Sequence, residues 1–308
     1  MPLLKVSVIK GLMMKTKFFT FIIKSTFFFF SFLPRRVVII LGCMFGFLLR
    51  CIGFKKKRII ANLNIVYGSK EQWPEKIIKN IYQHFGLLFT EILKQPSTSK
   101  DELNKMTNLA GLEHIDKALE KKRGIILISG HTGNWEYTMA SLVIRGYDLN
   151  VVVKKLKNVD SDYLFHKLRG SKNVKTIYKE KAVLNIRRAL GRNEICLLVI
   201  DQNSKKSEGL WIEHFGQLAS TFTAPYILGK RFKCPVLPAF SFRGDNLRDH
   251  YAEIYAEIVP QECEDFEDEI KLNLRVYLKS FEDFLLKHPE QWIWMHRRWR
   301  SVNKVTQE

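Results

Sequence analysis

The sequence predicts an α/β protein in which helices flank a mostly parallel sheet. Short apolar segments recur between residues 124 and 242, each bounded by glycine, proline, asparagine or charge. Most of them are unbroken rather than alternating, which is typical of strands buried on both faces. Helical segments separate them, and this alternation favours a parallel sheet with covering helices. The predicted strands are Gly124–Ser129, Leu149–Val153, Val174–Ile177, Ile195–Ile200 and Val236–Phe242.

The predicted helices rest on apolar residues that recur at helical spacing. The clearest covers Glu75–Leu93 and is followed by Pro96. After the parallel strands, Tyr251–Val259 alternates as one more strand. An acidic stretch then begins a long helix that ends near Lys287, and its negative charge favours a helix N-terminus. Shorter helices are predicted at Glu113–Lys121, Trp135–Arg145, Ser161–Leu168, Ala182–Leu190 and Thr223–Lys230.

The N-terminal region predicts a hydrophobic membrane helix. Residues 1–58 would form the anchor with its basic juxtamembrane segment, and residues 59–308 would form the main α/β domain. No acidic residue precedes Glu71, and apolar blocks cover residues 18–33 and 37–49. Each block is shorter than the roughly 20 residues that a spanning helix needs.

The arrangement of this anchor remains open between three forms. One block could span the bilayer with its flanks, both could form a hairpin broken at Pro34, or both could lie in the interface, which suits phenylalanine with basic flanks. A cleaved signal peptide is disfavoured because no small-residue cleavage site follows. The competing interpretation is buried core helices. Basic residues after Leu49 favour a cytoplasmic location for the rest of the chain.

The charge balance indicates an anionic partner. The 308 residues carry a formal net charge of +19, which suits nucleic acid, an anionic membrane or a phosphorylated substrate. We expect no nucleic acid, because the basic residues surround membrane-like blocks and no recognition module is visible. The five cysteines form no C-x-x-C pair, so neither a zinc site nor a disulfide framework is expected.

The stretch GIILISGHTGNWE holds the main candidate site. His131 follows a predicted strand, at the sheet edge where α/β proteins bind ligands. Gly133 allows a tight turn and a close substrate approach, and Asn134 can cap the next helix. We expect Glu136, in the first helical turn, to hydrogen-bond the imidazole and fix its tautomer. Such a pair suits a general base acting on a hydroxyl, although an isolated H-x-x-x-x-E match is often incidental.

Other polar residues are weaker candidates. Arg169 offers a bidentate fork to a phosphate, or else a surface salt bridge. Asp201 ends an apolar strand and either serves the site or forms an Asx turn. No serine or cysteine lies in a recognisable nucleophile elbow, so direct transfer is the simpler mechanism. Four lysines fit a headgroup site or a solvated basic face: Lys154, Lys155, Lys179 and Lys181.

The motif HTGNWE resembles the H-x-x-x-x-[DE] block of glycerolipid and lipid A acyltransferases, and specifically the late, acyl-carrier-protein-dependent acyltransferases of lipid A synthesis. Further blocks resemble this family in order, over about residues 35–300. They are RIIANL with a following YG, LGRNEICLLVIDQ, the FG, A and T of residues 215–221, CPVLPAF, and PEQWIWMHRR. In the second block Ile200 stands where the family usually has proline.

The resemblance implies a glycerolipid-acyltransferase fold at the cytoplasmic face of the inner membrane. It implies acyl transfer from an acyl-carrier-protein or CoA thioester to a hydroxyl of a lipid A precursor, without a cofactor. His131 carries over as the base and Glu136 as its orienting partner. The alternatives are another glycolipid or phospholipid acceptor, or a non-catalytic lipid-binding protein. Residues expected to contact substrate are Gly133, Asn134, Arg169 and Asp201.

Overall fold

The computed structural model describes residues 21–22, 24–156, 159–205 and 207–300. Within these residues, seven strands form one sheet in the order β1-β9-β8-β2-β5-β3-β4, and β6 and β7 form a separate hairpin. The strands are β1 Thr107–Ala110, β2 Ile125–Ser129, β3 Leu149–Val153, β4 Lys175–Tyr178, β5 Ile195–Val199, β6 Gly209–His214, β7 Gln217–Phe222, β8 Val236–Arg243 and β9 His250–Ile254.

The helices cover the sheet, as the alternation along the chain predicts. Helix α1 occupies residues 24–32. The others are α2 Arg35–Cys51, α3 Lys56–Tyr67, α4 Ile77–Lys94, α5 Lys100–Met106, α6 Leu112–Leu119, α7 Trp135–Ile144, α8 Val159–Gly170, α9 Ala182–Gly191, α10 Ala224–Phe232 and α11 Phe266–Lys287. The sequence did not predict β1, α5 or the β6–β7 hairpin.

The sheet is mostly parallel, which confirms the predicted fold class at that level. Among the described strands, β8, β2, β5, β3 and β4 run parallel to one another, and β9 is antiparallel to β8. Strand β2 has a parallel neighbour on each side, and its five residues are all buried.

Burial of β2 explains its unbroken apolar sequence. Ile126 and Ile128 join an apolar cluster with residues of α9, α10 and α11. Ile125 and Leu127 join a different cluster with residues of α6 and α7. Successive side chains of a strand point to opposite faces, so both faces of β2 need apolar residues.

The second apolar block of the sequence forms α2, which is packed closely against α4. A Cβ atom added at Gly86 of α4 would lie 2.2 Å from the carbonyl oxygen of Gly42, and one at Gly46 would lie 2.4 Å from the carbonyl oxygen of Tyr82. Small residues are therefore required where the two backbones meet. The predicted boundary at residue 58 falls inside α3.

The part of the chain that the structure describes contains no clear N-terminal membrane helix. No single helix in the described ranges has the length and apolar character needed to cross a bilayer; α2 and α3 meet that test only together, and they are bent by 91° at their junction. Residues 18–20 and 23 of the first apolar block lie outside the described residues.

Candidate active site

Neighbouring strands bring His131 and Asp201 together. In the parallel pairing of β2 with β5, Ser129 lies opposite Val199. His131 lies two positions after Ser129, and Asp201 lies two positions after Val199, so both residues lie at the carboxyl edge of the sheet. His131 Nδ1 lies 2.8 Å from Asp201 Oδ1. This pair occupies the part of an α/β sheet where ligands bind.

The Asp201 carboxylate is almost fully buried and well supplied with hydrogen bonds. Its side chain is 1% exposed, and Oδ2 accepts a hydrogen bond of 2.7 Å from the indole Nε1 of Trp292. Burial alone would raise the pKa of Asp201, but the charge and hydrogen bond of His131, together with the Trp292 hydrogen bond, hold that pKa well below its usual range. Asp201 is therefore a carboxylate at all pH values near neutral.

His131 is arranged to act as a base. Burial alone would lower its pKa, but the charge and hydrogen bond of Asp201 outweigh burial, and the pKa is raised. With Nδ1 directed to Asp201, the ring presents Nε2, which has no hydrogen-bond partner among the described residues. The side chain is 25% exposed, and its ring meets Trp135 edge-on at 4.9 Å.

Glu136 does not make the hydrogen bond predicted for it, which corrects the sequence interpretation. Its carboxylate accepts from Arg169 Nη2 at 2.6 Å and from Nε at 3.2 Å. A charge-assisted bidentate pair is stronger than a single hydrogen bond to a neutral imidazole. Helix α8 places the guanidinium of Arg169 next to the first turn of α7, where Glu136 lies. Asp201 thus has the orienting position that the sequence analysis gave to Glu136.

The pairing with Glu136 also fixes Arg169. The arginine side chain is 13% exposed and that of Glu136 is 2% exposed, so this is a buried ion pair rather than a surface one. Nε and Nη2 are both engaged. The remaining terminal nitrogen, Nη1, is the one left for a ligand. Contact between Arg169 and substrate stays a prediction.

Asn134 supports the loop that carries His131. Its Oδ1 accepts from the backbone N–H of Tyr137 at 3.1 Å and caps α7. Its Nδ2 donates to Glu91 Oε2 at 2.9 Å. Glu91 in turn receives both terminal nitrogens of the buried Arg243. Both ends of the Asn134 amide are occupied and the residue is buried, which assigns it to the scaffold and not to the predicted substrate contact.

Gly133 is required by packing against β8. It adopts φ +53°, and a Cβ atom there would lie 2.6 Å from the carbonyl carbon and oxygen of Ser241. Its N–H donates to the carbonyl of Gln291 at 2.8 Å. The glycine therefore lets the His131 loop fit tightly between β8 and the C-terminal segment, residues 289–300. Its positive φ fits the predicted tight turn, and the close approach of substrate stays a prediction.

The C-terminal segment is the part of the site that the sequence analysis missed. Trp292 and Trp294 are buried, as is Arg298. The Gln202 amide nitrogen also lies 3.3 Å from His131 Nδ1. The sequence alone leaves two interpretations of the stretch WIWMHRRWR, a membrane interface or core aromatics with an exposed basic edge, and the burial of Trp292 and Trp294 agrees with the second. A buried indole N–H needs a partner, but the sequence does not show that the partner of Trp292 is Asp201.

Of the four predicted lysines, Lys154 and Lys179 both act on the carboxylate of Glu208, and contact with an anionic headgroup stays a prediction. Lys154 and Lys155 are exposed, and Lys179 pairs with Glu208. The side chain of Lys181 lies outside the described residues. In the described ranges no group of three or more histidine, cysteine, aspartate or glutamate residues is placed to hold a metal ion.

The geometry defines a class of site. A His–Asp pair stands at the carboxyl edge of a parallel sheet with one imidazole nitrogen unused, and no described serine or cysteine is hydrogen-bonded to that histidine. Such a pair suits a general base that activates a hydroxyl of the substrate itself.

Comparison with known proteins gives the family. The family model described as bacterial lipid A biosynthesis acyltransferase matches residues 9–301. The lipid A biosynthesis acyltransferase of Haemophilus influenzae is 21% identical over 78% of this chain and 75% of its own. The lipid A biosynthesis lauroyltransferase of Escherichia coli is 23% identical over 87% of each chain. The chain belongs to the bacterial lipid A biosynthesis acyltransferase family and is an acyltransferase.

More distant similarities extend to other lipid acyltransferases. The phosphatidylinositol mannoside acyltransferase of Mycobacterium tuberculosis is 27% identical over 86 residues, which is 27% of each chain. Among solved structures, the 1-acyl-sn-glycerophosphate acyltransferase PlsC of Thermotoga maritima is 12% identical, covers 82% of this chain and 98% of its own, and has a TM-score of 0.39.

Proposed function

We propose that this protein transfers a fatty acyl chain from a thioester of acyl carrier protein or CoA to a hydroxyl of a lipid A precursor. The observation that carries the proposal is the His131–Asp201 pair, with Nε2 unused at the edge of the sheet. An imidazole held in this way takes a proton from a hydroxyl and returns it to a leaving group.

The transfer needs one histidine and no covalent enzyme intermediate. The acceptor hydroxyl loses its proton to His131 Nε2 while its oxygen bonds to the thioester carbonyl carbon. The tetrahedral intermediate then collapses, the carbon–sulfur bond breaks, and the leaving sulfur takes the proton from Nε2. The products are an ester and a free thiol, and the histidine is neutral again. Asp201 stabilises the imidazolium that exists between the two steps.

Arg169 is the proposed contact for negative charge near the reacting atoms. Glu136 holds its guanidinium in place through Nε and Nη2. Nη1 then offers a donor to a phosphate of the acceptor or to the developing oxyanion. In this role Glu136 acts through Arg169 and contributes to catalysis without touching His131.

A group of three arginines supports an anionic acceptor. Asn62 of α3 donates to the carbonyls of Trp294 and His296, at 2.7 and 2.9 Å, and Arg58 lies one helical turn before Asn62. Burial, then the charges of Arg297 and Arg300, lower the pKa of Arg58. None of the three arginines forms an ion pair within the described part of the chain. They would bind the phosphates of a lipid A precursor near the site.

The N-terminal helices are the proposed contact with the cytoplasmic face of the inner membrane. The face of α2 that does not pack on α4 exposes a stripe of apolar residues, and α1 extends it. Basic residues follow α2 directly, which suits a helix lying in an anionic interface. The exposed residues are Phe28, Phe29, Phe32, Ile40, Met44, Phe47, Leu48, Ile52 and Phe54.

The proposed activity is tested by acyl transfer in vitro and by lipid analysis in cells. We expect the purified protein to move a lauroyl group from acyl carrier protein to a lipid A precursor, and His131→Ala to abolish transfer while a cooperative thermal unfolding transition shows that the variant is still folded. Deletion in the source cell should remove one acyl chain from a membrane lipid, read by mass spectrometry. Full transfer by His131→Ala would refute the proposal, and loss of an acyl chain from a phosphatidylinositol mannoside would redirect the acceptor.

A further inference from the structure

Trp292 contacts Asp201 and the loop that carries His131. Its indole Nε1 donates to Asp201 Oδ2 at 2.7 Å. Its backbone forms an antiparallel bridge with Thr132, the residue after His131. The preceding residue, Gln291, accepts from the N–H of Gly133. One buried tryptophan therefore joins the loop that carries the imidazole to the carboxylate that orients it.

The rest of the C-terminal segment holds Trp292 and the loop after Asp201 in one arrangement. Arg298 is fully buried, and it donates from Nη1 to the carbonyls of Gln202 and Ser220, at 3.2 and 2.9 Å. Its Nη2 donates to Thr221 Oγ1 at 2.7 Å. These bonds fix the backbone directly after Asp201. The C-terminal segment thus supports both strand ends of the site from one side.

We infer that Trp292 is a positioning residue for the acyl transfer proposed above: its indole N–H fixes the Asp201 carboxylate and limits the negative charge that this carboxylate presents to His131. A hydrogen bond to one carboxylate oxygen stabilises the ionised form. Its loss leaves Oδ2 without that donor in a buried position and makes the carboxylate more basic. The imidazolium of His131 is then held more tightly, and the free base forms only at higher pH.

The charged groups around His131 and Asp201 do not account for the stronger hold on the imidazolium, because none of these groups changes when the indole is removed. The groups that act on His131 or Asp201 from the packed elements are Glu136, Arg169, His214, Tyr277, His296 and Arg298. Burial lowers the pKa of His214 and of His296, so a protonation step above the usual imidazole range belongs to His131.

The test compares Trp292→Phe with Trp294→Phe in the full-length protein. Trp294 is equally buried and lies in the same segment, but its indole donates to the carbonyl of Pro289. The measurement is kcat/KM against pH for transfer of lauroyl groups from acyl carrier protein to a lipid A precursor. We expect Trp292→Phe to lower the plateau of kcat/KM about tenfold and to move the acid limb of the profile up by roughly half a pH unit, whereas Trp294→Phe keeps the acid limb of the wild-type protein.

A second variant separates the hydrogen bond from the shape of the side chain. Benzothienylalanine at position 292 replaces the indole N–H by sulfur at nearly the same volume, so the fold is retained even if Trp292→Phe unfolds. It should give the same shift of the acid limb. A wild-type limb in this variant, or an equal shift in Trp294→Phe, would overturn the inference. Failure of the proposed function itself is distinguishable, because the wild-type protein would then show no transfer, or His131→Ala would retain it, whatever residue stands at position 292.

Discussion

Replacement of Asp201 by asparagine should inactivate the enzyme by reversing the tautomer of His131. Trp292 Nε1 is a donor 2.7 Å from one carboxylate oxygen, and it requires an acceptor there. An asparagine must therefore turn its carbonyl oxygen toward Trp292 and its amide nitrogen toward His131. Nδ1 of the imidazole then has to accept, which places the ring proton on Nε2. The nitrogen that should take the proton of the hydroxyl is no longer a base.

The expected loss follows from this geometry. An aspartate-to-asparagine change that imposes the wrong tautomer lowers kcat by about 10⁴, as in the serine-protease triad, which corresponds to about 5.4 kcal/mol in the activation free energy. Loss of the charge-assisted hydrogen bond alone is worth only about 1.5–3 kcal/mol, or roughly 10- to 150-fold. The two mechanisms therefore predict losses that differ by about two orders of magnitude.

The assay is single-turnover transfer of a labelled lauroyl group, with thermal unfolding as the check on folding. The double variant Asp201→Asn with Trp292→Phe removes the donor that dictates the orientation of the amide. The asparagine is then free to present its oxygen to His131, and we expect at least a tenfold recovery over Asp201→Asn alone. A loss smaller than 100-fold in the single variant, or a double variant that is no more active, would refute this account of the site.

Three further outcomes are expected. Because the pKa of His131 is raised from its usual 6.5 and the base must be neutral, kcat/KM should fall as pH drops through a value above 6.5; an acid limb at or below that value would contradict the His131–Asp201 assignment. Gly133→Ala should lower the free energy of unfolding, measured by denaturant titration, by about 2–4 kcal/mol, because φ would be strained and the added Cβ would contact β8. Gly191→Ala is the control: no atom lies within 4 Å of its added Cβ, so the same free energy should change by less than about 1 kcal/mol. Phe47→Asp should weaken sedimentation with vesicles containing anionic lipid, and the equally apolar but distant Leu218→Asp should not; equal binding by both variants would remove α2 from the proposed interface.

The sequence predicted the elements of the sheet better than the contacts at its edge. Strand β2 was predictable because both of its faces are buried, so its residues are uniformly apolar. The hairpin of β6 and β7 was missed because its strands mix apolar residues with glutamate, histidine, serine and glutamine. Such strands lack the unbroken apolar run on which the predictions of the parallel strands rested.

The sequence predicted the wrong hydrogen-bond partner for His131, and the physical reason applies to other proteins as well. Glu136 is close in sequence and lies one turn into the following helix, so local geometry favoured it. Asp201 is 70 residues away in the chain, and only the adjacency of β2 and β5 brings it near. Strand order depends on the packing of the whole sheet and is not encoded in any short motif. Arg169 forms an ion pair with Glu136, a partner that depended on where α8 lies, and its contact with substrate stays a prediction.

The close contact between α2 and α4 has a consequence for work with this enzyme. Glycines let the two backbones touch, and α4 continues from that contact to Glu91, which holds the Asn134 cap. A shortened protein that begins after α2 would expose the apolar surface of α4 now covered by that helix. Removal of the N-terminal segment is thus expected to destabilise the folded enzyme, because α2 covers apolar surface of α4 in addition to exposing apolar residues of its own.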